Sequence, residues 1–368
     1  MKKDKLLALE SLRGVAAISV AILHFNIGSH LNTEFTKNAW LMVDFFFVLS
    51  GFVIALNYQE RIKSFENLKV FQFKRLLRLY PLHLLMLFVF LGIECMKYLV
   101  EIKFNLVANN PAFEASDLSA FIANVFLLQN WTMEQISFNA ASWSISAEFY
   151  TYAIFGSLLL VPRLLPNQFI FLSITLVIVS AIVISFQEFS ANNLTGPSRC
   201  IYSFFLGVLA FNIHKSSAIS VRLTSSFPAT LGLILSIFLV TLLGNDITDN
   251  RILVIPIVFS VAILLTVWTS KETIIQRCLS TNIMVYMGTI SYGIYMIHGM
   301  VWWIYYQSLR FVFKTPTHVI DGSTMPYIEN TYLSDLIMIT GLLMIILLAH
   351  LSYRLVEMRF NQIRGRMN

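Results

Sequence analysis

Charged residues are scarce in this chain of 368 residues, since Asp, Glu, Lys and Arg together make up only 12% of it. Soluble globular domains carry about 25% charged residues. Hydrophobic residues account for 57% of the chain and aromatic residues for 14%. The scarcity of charge therefore excludes an ordinary soluble domain and predicts an all-α, polytopic membrane protein.

Cysteine is also scarce, and its pattern excludes two further classes. The three cysteines are Cys95, Cys200 and Cys278. Their number is odd, and none of them forms a CxxC or CxxH pair. A disulfide-rich scaffold and a cysteine-based metal site are therefore not expected, and we predict no bound metal.

Long apolar runs dominate what is present. Ten segments are long enough to cross a membrane. They lie near residues 12–30, 39–58, 79–99, 142–162, 167–187, 198–213, 227–245, 252–270, 283–305 and 333–356. The basic N-terminus lacks a clear small-residue cleavage site after it, so we interpret the first apolar segment as a retained span and not as a signal peptide.

The basic residues orient these spans. The net charge is +6, but the cations cluster in short segments between apolar runs, which argues against a nucleic-acid-binding surface. With the N-terminus inside, 18 of the 26 Lys and Arg residues lie on inner segments, seven on outer segments and Arg13 at the boundary. This bias predicts about ten transmembrane helices with both termini in the cytoplasm, in one membrane-embedded domain of residues 1–368.

The first span carries an arginine and a histidine within an otherwise apolar run. Arg13 and His24 are eleven positions apart in the segment LRGVAAISVAILHF. On one helix they would lie about 16 Å apart along the axis and on nearly the same face. His24 would then lie well inside the membrane, where an ionisable residue is expensive and is a functional candidate. The alternative for His24 is a packing histidine with satisfied hydrogen bonds.

Four more polar residues map to the same outer half of the membrane. Asp44 follows the outer start of the second span, Glu148 and Arg199 follow those of the fourth and sixth, and His298 is near the outer end of the ninth. Three of the four have a simpler interpretation: Asp44 as a helix cap, Arg199 as a snorkelling cation and His298 as an interfacial residue. Together with His24, however, they predict a shared cavity.

The inner side carries cations suited to phosphate. The segment FKRLLRLYP, expected just before the third span, places Arg75 and Arg78 three residues apart on one helical face. Guanidinium groups in such an array suit phosphate recognition, and Arg13 would join them from the first span. The alternative is the ordinary excess of cations on the cytoplasmic side.

These segments together resemble the acyltransferase-3 family of integral membrane O-acyltransferases. The resemblance rests on motifs in family order over nearly the whole chain. They are SLRGVAAISVAILHF with Arg13 and His24, DFFFVLSGFVI at 44–54, KRLLRLYP with Arg75 and Arg78, WSISAEFY at 143–150, SYGIYMIH at 291–298 and YRLVE at 353–357.

The resemblance implies transfer of an acyl group, usually acetyl, from cytoplasmic acyl-CoA to a sugar hydroxyl. The acceptors it implies are surface polysaccharide, lipopolysaccharide, exopolysaccharide or another lipid-linked glycan. It also implies a multi-pass protein of the bacterial cytoplasmic (inner) membrane, surrounded by lipid and without nucleic-acid partners. We expect the stand-alone form without a fused SGNH domain. The oligomeric state stays open, with a homo-oligomer among the alternatives.

The site residues follow from the motifs and the polar pattern together. We expect His24 to act as general base on the acceptor hydroxyl, with Asp44 or Glu148 orienting or stabilising it. Arg13, Arg75 and Arg78 are expected to hold the acyl-CoA phosphates. Trp143, Arg199 and His298 are assigned to substrate binding.

Other mechanisms and functions compete with this interpretation. A covalent acyl-histidine is one alternative, and Ser146 or Ser50 as nucleophile is another. A transporter or flippase of a glycan or acyl-group precursor would also use intramembrane ionisable residues. Against it, no paired Gly/Pro-broken spans are evident in two related halves. A scaffold or sensor in a glycan-assembly complex is a third class.

Overall fold

The computed structural model describes residues 3–105, 110–161, 167–186, 195–216, 225, 227–243, 253–269, 273–320 and 323–365. These residues are almost entirely helical, which confirms the all-α class. Among them, the only sheet is one antiparallel hairpin of β1 (Thr317–Ile320) and β2 (Ser323–Pro326). In its register Thr317 lies opposite Pro326.

The helices follow the apolar segments of the sequence. In chain order they are α1 (Lys3–Leu23), α2 (Glu34–Lys37), α3 (Met42–Tyr58), α4 (Phe65–Phe104), α5 (Leu118–Val125), α6 (Gln129–Thr132), α7 (Trp143–Leu158), α8 (Gln168–Phe186), α9 (Thr195–Lys215), α10 (Phe227–Leu243), α11 (Val254–Trp268), α12 (Ile274–Leu279), α13 (Asn282–Thr289), α14 (Ser291–Gln307), α15 (Thr331–Ser352) and α16 (Met358–Gly365). Short 3-10 turns cover Ala39–Leu41 and Ala140–Ser142, and π-helical turns cover Ser308–Val312 and Tyr353–Glu357.

Each of the ten predicted segments overlaps one of these helices. Four helical stretches are both long and apolar enough to cross a bilayer, which supports an integral membrane protein. They are Ala39–Tyr58, Phe65–Phe104, Gln168–Phe186 and Thr331–Gly365. The number of ten spans and the cytoplasmic position of both termini stay predictions.

Three boundaries differ from the sequence-based expectation. Helix α4 begins at Phe65, capped by the Ser64 hydroxyl, so the basic motif lies within a continuous helix and not in a loop before it. The ninth segment is divided into α13 and α14 at Ile290. Helix α1 ends at Leu23, so His24 lies in the turn that follows it and not within a helix.

Two glycines bring α3 and α9 into backbone contact. A Cβ at Gly51 of α3 would overlap the carbonyl of Phe204, and a Cβ at Gly207 of α9 would overlap the carbonyl of Val48. The two helices run parallel, so their starts lie side by side as their ends do. This close approach decides which polar side chains of α3 and α9 can meet.

A second close contact fixes the C-terminal end of α1. The Trp302 ring of α14 stacks on Phe25 with ring centroids 4.1 Å apart and an interplanar angle of 3°. Its indole N–H donates to the carbonyl of Ala21 at 2.7 Å, and the side chain is 2% exposed. Because Phe25 directly follows His24, this buried aromatic pair holds His24 against α14.

Candidate active site

Two histidine rings meet where α1 ends beside α14. The ring centroids of His24 and His298 are 4.9 Å apart. The Nδ1 of His24 lies 2.8 Å from the carbonyl oxygen of Val20, and that of His298 lies 2.6 Å from the carbonyl oxygen of Tyr295. A carbonyl only accepts, so each Nδ1 carries a proton and donates it, which leaves Nε2 of each neutral ring as the acceptor. His24 is exposed whereas His298 is 3% exposed, so His24 is the ring that a substrate can reach.

Asp44 and Arg199 form a buried ion pair at the neighbouring starts of α3 and α9. Arg199 Nη2 lies 2.6 Å from Asp44 Oδ2, and the two residues are 3% and 1% exposed. The Ser203 hydroxyl also donates to Asp44, at 3.2 Å. The guanidinium lies over the rings of Trp40 and Trp143, 5.3 and 5.5 Å from their centroids. The pair therefore joins two of the predicted site residues, with Trp143 as a third.

Glu148 has different partners, Tyr152 and the arginines of α1 and α4. The Tyr152 hydroxyl donates to Glu148 Oε1 at 2.5 Å and lies 2.7 Å from the Ser50 hydroxyl. Glu148 is also within electrostatic range of Arg13 and Arg78. It therefore belongs with the cations that the sequence placed on the inner side.

The role predicted for Asp44 or Glu148, to orient His24 or stabilise its protonated form, stays a prediction; among the described residues, neither carboxylate is hydrogen-bonded to His24. The His24 ring is oriented by the carbonyl of Val20 in the last turn of α1, where carbonyls lack a full set of intrahelical partners. Asp44 is held by Arg199 instead, because α3 and α9 approach closely enough for the two charges to pair. Asp44 is not a helix cap either, since the cap position of α3 is Leu41.

The polar residues that were predicted to share one cavity form separate neighbouring groups. Tyr295 lies between these groups. Its ring centroid is 5.9 Å from that of His298, and its hydroxyl lies 3.0 Å from the Ser144 hydroxyl. It is within electrostatic range of both Arg199 and Glu148. Sequence reasoning did not single out Tyr295, although its position three residues before His298 places both on one face of α14.

Tyr152 is a second residue that sequence reasoning missed. It lies four residues after Glu148 on α7, so the i,i+4 spacing was the available signal. Ser50, considered as a nucleophile, is hydrogen-bonded to Tyr152. Ser146 is fully buried and donates to the carbonyl of Leu127 at 2.5 Å, so it anchors the preceding loop and does not present a nucleophile.

The predicted phosphate-binding arginines lie on α1 and α4, and on α1 Arg13 is eleven residues before His24. Arg13 and Arg78 are within electrostatic range of each other. Arg75 is 6% exposed, and its Nη2 donates to the Tyr58 hydroxyl at 3.0 Å. In the described part of the chain, no carboxylate lies at ion-pair distance from these three arginines, and the buried Nε–H groups of Arg13 and Arg75 have no hydrogen-bond partner. The cluster therefore fits a phosphate-bearing ligand.

Within the ranges that the structure describes, no group of three or more His, Cys, Asp or Glu side chains is placed to hold a metal ion.

Comparison with known proteins gives a family and distant relatives. The family model described as "Acyltransferase domain" (acyltransferase 3) matches residues 6–354. A Staphylococcus aureus (strain COL) protein, provisionally named an O-acetyltransferase, is 25% identical over 386 residues, covering 96% of this chain and 57% of its own length. The acyltransferase MdmB of Streptomyces mycarofaciens is 23% identical over 332 residues, covering 81% of this chain and 79% of its own. No solved structure matches the chain. The chain thus spans little more than half the length of the staphylococcal relatives.

Proposed function

The chain belongs to the acyltransferase-3 family, and from this premise we propose that it is a membrane-bound O-acyltransferase. It transfers an acyl group, acetyl in the first instance, from cytoplasmic acyl-CoA to a hydroxyl of a cell-surface or lipid-linked glycan. The observation that carries the proposal is the pair of sites that α1 connects: arginines suited to phosphate at one end and an accessible histidine at the other.

The arrangement supports two different roles at the two ends of α1, donor binding and acyl transfer. Arg13, Arg75 and Arg78 bind the donor phosphates, and the flexible pantetheine arm carries the thioester toward His24. The Cα atoms of Arg13 and His24 are separated by eleven residues, about 16 Å of helix. One end of this stretch of α1 carries cations and the other is followed by a histidine. The donor therefore enters from the arginine side, and the acceptor approaches from the histidine side.

The proposed reaction begins at His24. Its Nε2 takes the proton of the acceptor hydroxyl as the oxygen attacks the thioester carbonyl. The tetrahedral intermediate then expels the CoA thiolate, which receives the proton from the His24 imidazolium, and the acyl ester is released. Tyr295, beside His298 and near Arg199, is the proposed hydrogen-bond donor to the oxyanion. His298 packs against the ring of His24 and positions that ring for the acceptor.

The proposal includes the setting of the enzyme. We place the protein in the bacterial cytoplasmic membrane as one domain of about ten spans with cytoplasmic termini. The four apolar stretches long enough to span support this setting. So do the helix directions, because α1 runs parallel to α14 while α15 returns from the outer side. Ser334 near the start of α15 donates to the carbonyl of Ile27, and Gly341 meets Trp302.

The decisive experiment measures acyl transfer by the purified protein with His24→Gln. We expect a loss of about 10²–10⁴-fold in kcat, the usual contribution of a general base. The matched control is His318→Gln, an exposed histidine on β1. Full activity of the His24 variant would remove His24 from the mechanism. Surface glycans of cells with and without the gene, compared by mass spectrometry, then identify the acceptor by a mass shift of one acyl group.

A transporter or flippase remains the second candidate, because buried ionisable groups also serve proton relays. Reconstituted vesicles separate the two functions. Accumulation of a glycan precursor without any acylated product or free CoA would favour transport and refute the acyltransferase.

A further inference from the structure

A short loop, residues 25–32, follows His24 and is closed by one of its own side chains. The Asn32 amide donates to the carbonyl of Phe25 at 3.2 Å, and its oxygen accepts from the backbone N–H of Ser29 at 3.1 Å. A shift of Ser29 therefore moves Phe25 as well, since Asn32 is bonded to both. Phe25 is the direct neighbour of His24, so the position of the loop affects the position of the histidine.

One carboxylate of α15 holds this loop from the outside. Asp335 Oδ1 accepts from the Ser29 hydroxyl at 2.7 Å and from the His30 backbone N–H at 2.8 Å. Asp335 Oδ2 lies 2.8 Å from His30 Nδ1. An ionised carboxylate only accepts, so Nδ1 carries a proton and donates it. Three donors of the loop therefore converge on one side chain, and hydrogen bonds to an ionised acceptor are roughly twice as strong as neutral ones.

The position of Asp335 is fixed independently of these three bonds. The Asn330 side chain caps α15 by accepting from two of the first backbone N–H groups of the helix. The Ser334 hydroxyl, one residue before Asp335, is buried and donates to a backbone carbonyl of the loop at 2.9 Å. On the other side, Phe25 stacks on Trp302 of α14. The loop is therefore held between α14 and α15, with Asp335 on the α15 side.

We propose that Asp335 is a positioning residue for acyl transfer, which holds the 25–32 loop against α15 and thereby keeps the His24 ring in place beside His298. The proposal rests on the proposed role of His24 as base, and it assigns a role to a carboxylate outside the sequence motifs. Asp335 acts through the loop, because in the described part of the chain no hydrogen bond joins it to His24. A misplacement of about 1 Å at a catalytic group can cost about 10²-fold in rate.

The test combines turnover with hydrogen–deuterium exchange of the purified protein, read by mass spectrometry. The substrates are acetyl-CoA and surface glycan isolated from cells that lack the gene. Asp335→Ala removes all three acceptor contacts, so kcat should fall about 10- to 100-fold while KM for acetyl-CoA stays within about twofold. The backbone amides of the 25–32 loop should exchange about 10- to 100-fold faster, as expected for lost hydrogen bonds to a charged group.

Two further variants control this comparison. Asp335→Asn retains one acceptor oxygen, so its turnover and its loop exchange should lie between those of the alanine variant and the wild type. Glu329→Gln changes an exposed carboxylate in the segment before α15 and should match the wild type in both measurements. Unchanged exchange in α9, away from the loop, shows that a variant is folded.

The outcomes separate this proposal from the proposed function. Wild-type turnover of Asp335→Ala would overturn the positioning role, and so would lost turnover with wild-type exchange in the loop, since Asp335 would then act on the reacting groups directly. If Asp335→Ala also exchanges faster in α9, Ser29→Ala and His30→Ala remove one contact each. Both should lower kcat about 3- to 10-fold and loosen the loop; wild-type behaviour of both would overturn the proposal. A wild-type protein that transfers no acetyl group would instead refute the proposed function.

Discussion

The buried Asp44–Arg199 pair offers the sharpest test of how the structure supports the site. The shortest N–O distance is 2.6 Å, and neither residue is more than 3% exposed. Asp44→Asn keeps the shape of the side chain but leaves the Arg199 guanidinium without its counter-charge. Removing one partner of a buried ion pair typically costs about 3–5 kcal/mol. We expect that loss in the free energy of unfolding.

The double variant Asp44→Asn/Arg199→Met separates the energy of the ion pair from the contribution that each residue makes alone to the free energy of unfolding. Replacing a buried ion pair by neutral side chains of similar volume is often close to neutral. The double variant should therefore be more stable than the sum of the single losses predicts, with a coupling energy of about 1–3 kcal/mol. Equilibrium unfolding in mixed neutral and denaturing detergent measures all four proteins of the cycle.

The same cycle tests the role of Asp44 in the chemistry. If Asp44 acts by holding Arg199 and α9 in place, acyl transfer should recover partly in the double variant as its stability recovers. Strictly additive stability losses would refute the pairing inferred from the structure. Recovered stability without any recovered turnover would instead show that Asp44 or Arg199 contacts the reacting groups.

Two further predictions concern packing and surface charge. Gly51→Leu should destabilise the protein by about 3 kcal/mol or more, because the new side chain would overlap α9. The control Gly92→Leu has open space around it and should change stability by less than about 1 kcal/mol. Equal thermal midpoints of the two variants would contradict this prediction. The hydrogen bond and charge of Lys215 lower the pKa of the exposed Glu60. Lys215→Met should therefore raise that pKa, and any stability that the wild type gains over the variant at neutral pH should disappear as the pH falls through the lowered pKa.

The helices and the arginine cluster were accessible to sequence reasoning because each rests on local composition. An apolar segment long enough to cross a membrane satisfies its backbone hydrogen bonds as a helix. The structure has a helix at each of the ten predicted apolar segments. The Arg-x-x-Arg spacing of Arg75 and Arg78 likewise follows from helical periodicity. Their approach to Arg13 was predicted because both segments have cations at the inner end.

The partners of the carboxylates could not be derived in the same way. Asp44, Glu148 and His24 were placed at similar depth, and depth alone favoured a carboxylate–histidine pair. The rotation of each helix about its axis decides which side chain faces which neighbour, and rotation depends on packing. At Gly51, the missing Cβ lets α9 come close, which presents Asp44 to Arg199.

Sequence alone established the membrane character, the helical class and the family, and it predicted separate roles for Arg13 and His24. These follow from composition and from motifs whose residues are close in the chain. Only the tertiary structure decided that His24 meets His298 and that Asp44 is paired with Arg199. Those contacts join residues of different helices, so they depend on crossings and rotations that no local pattern encodes.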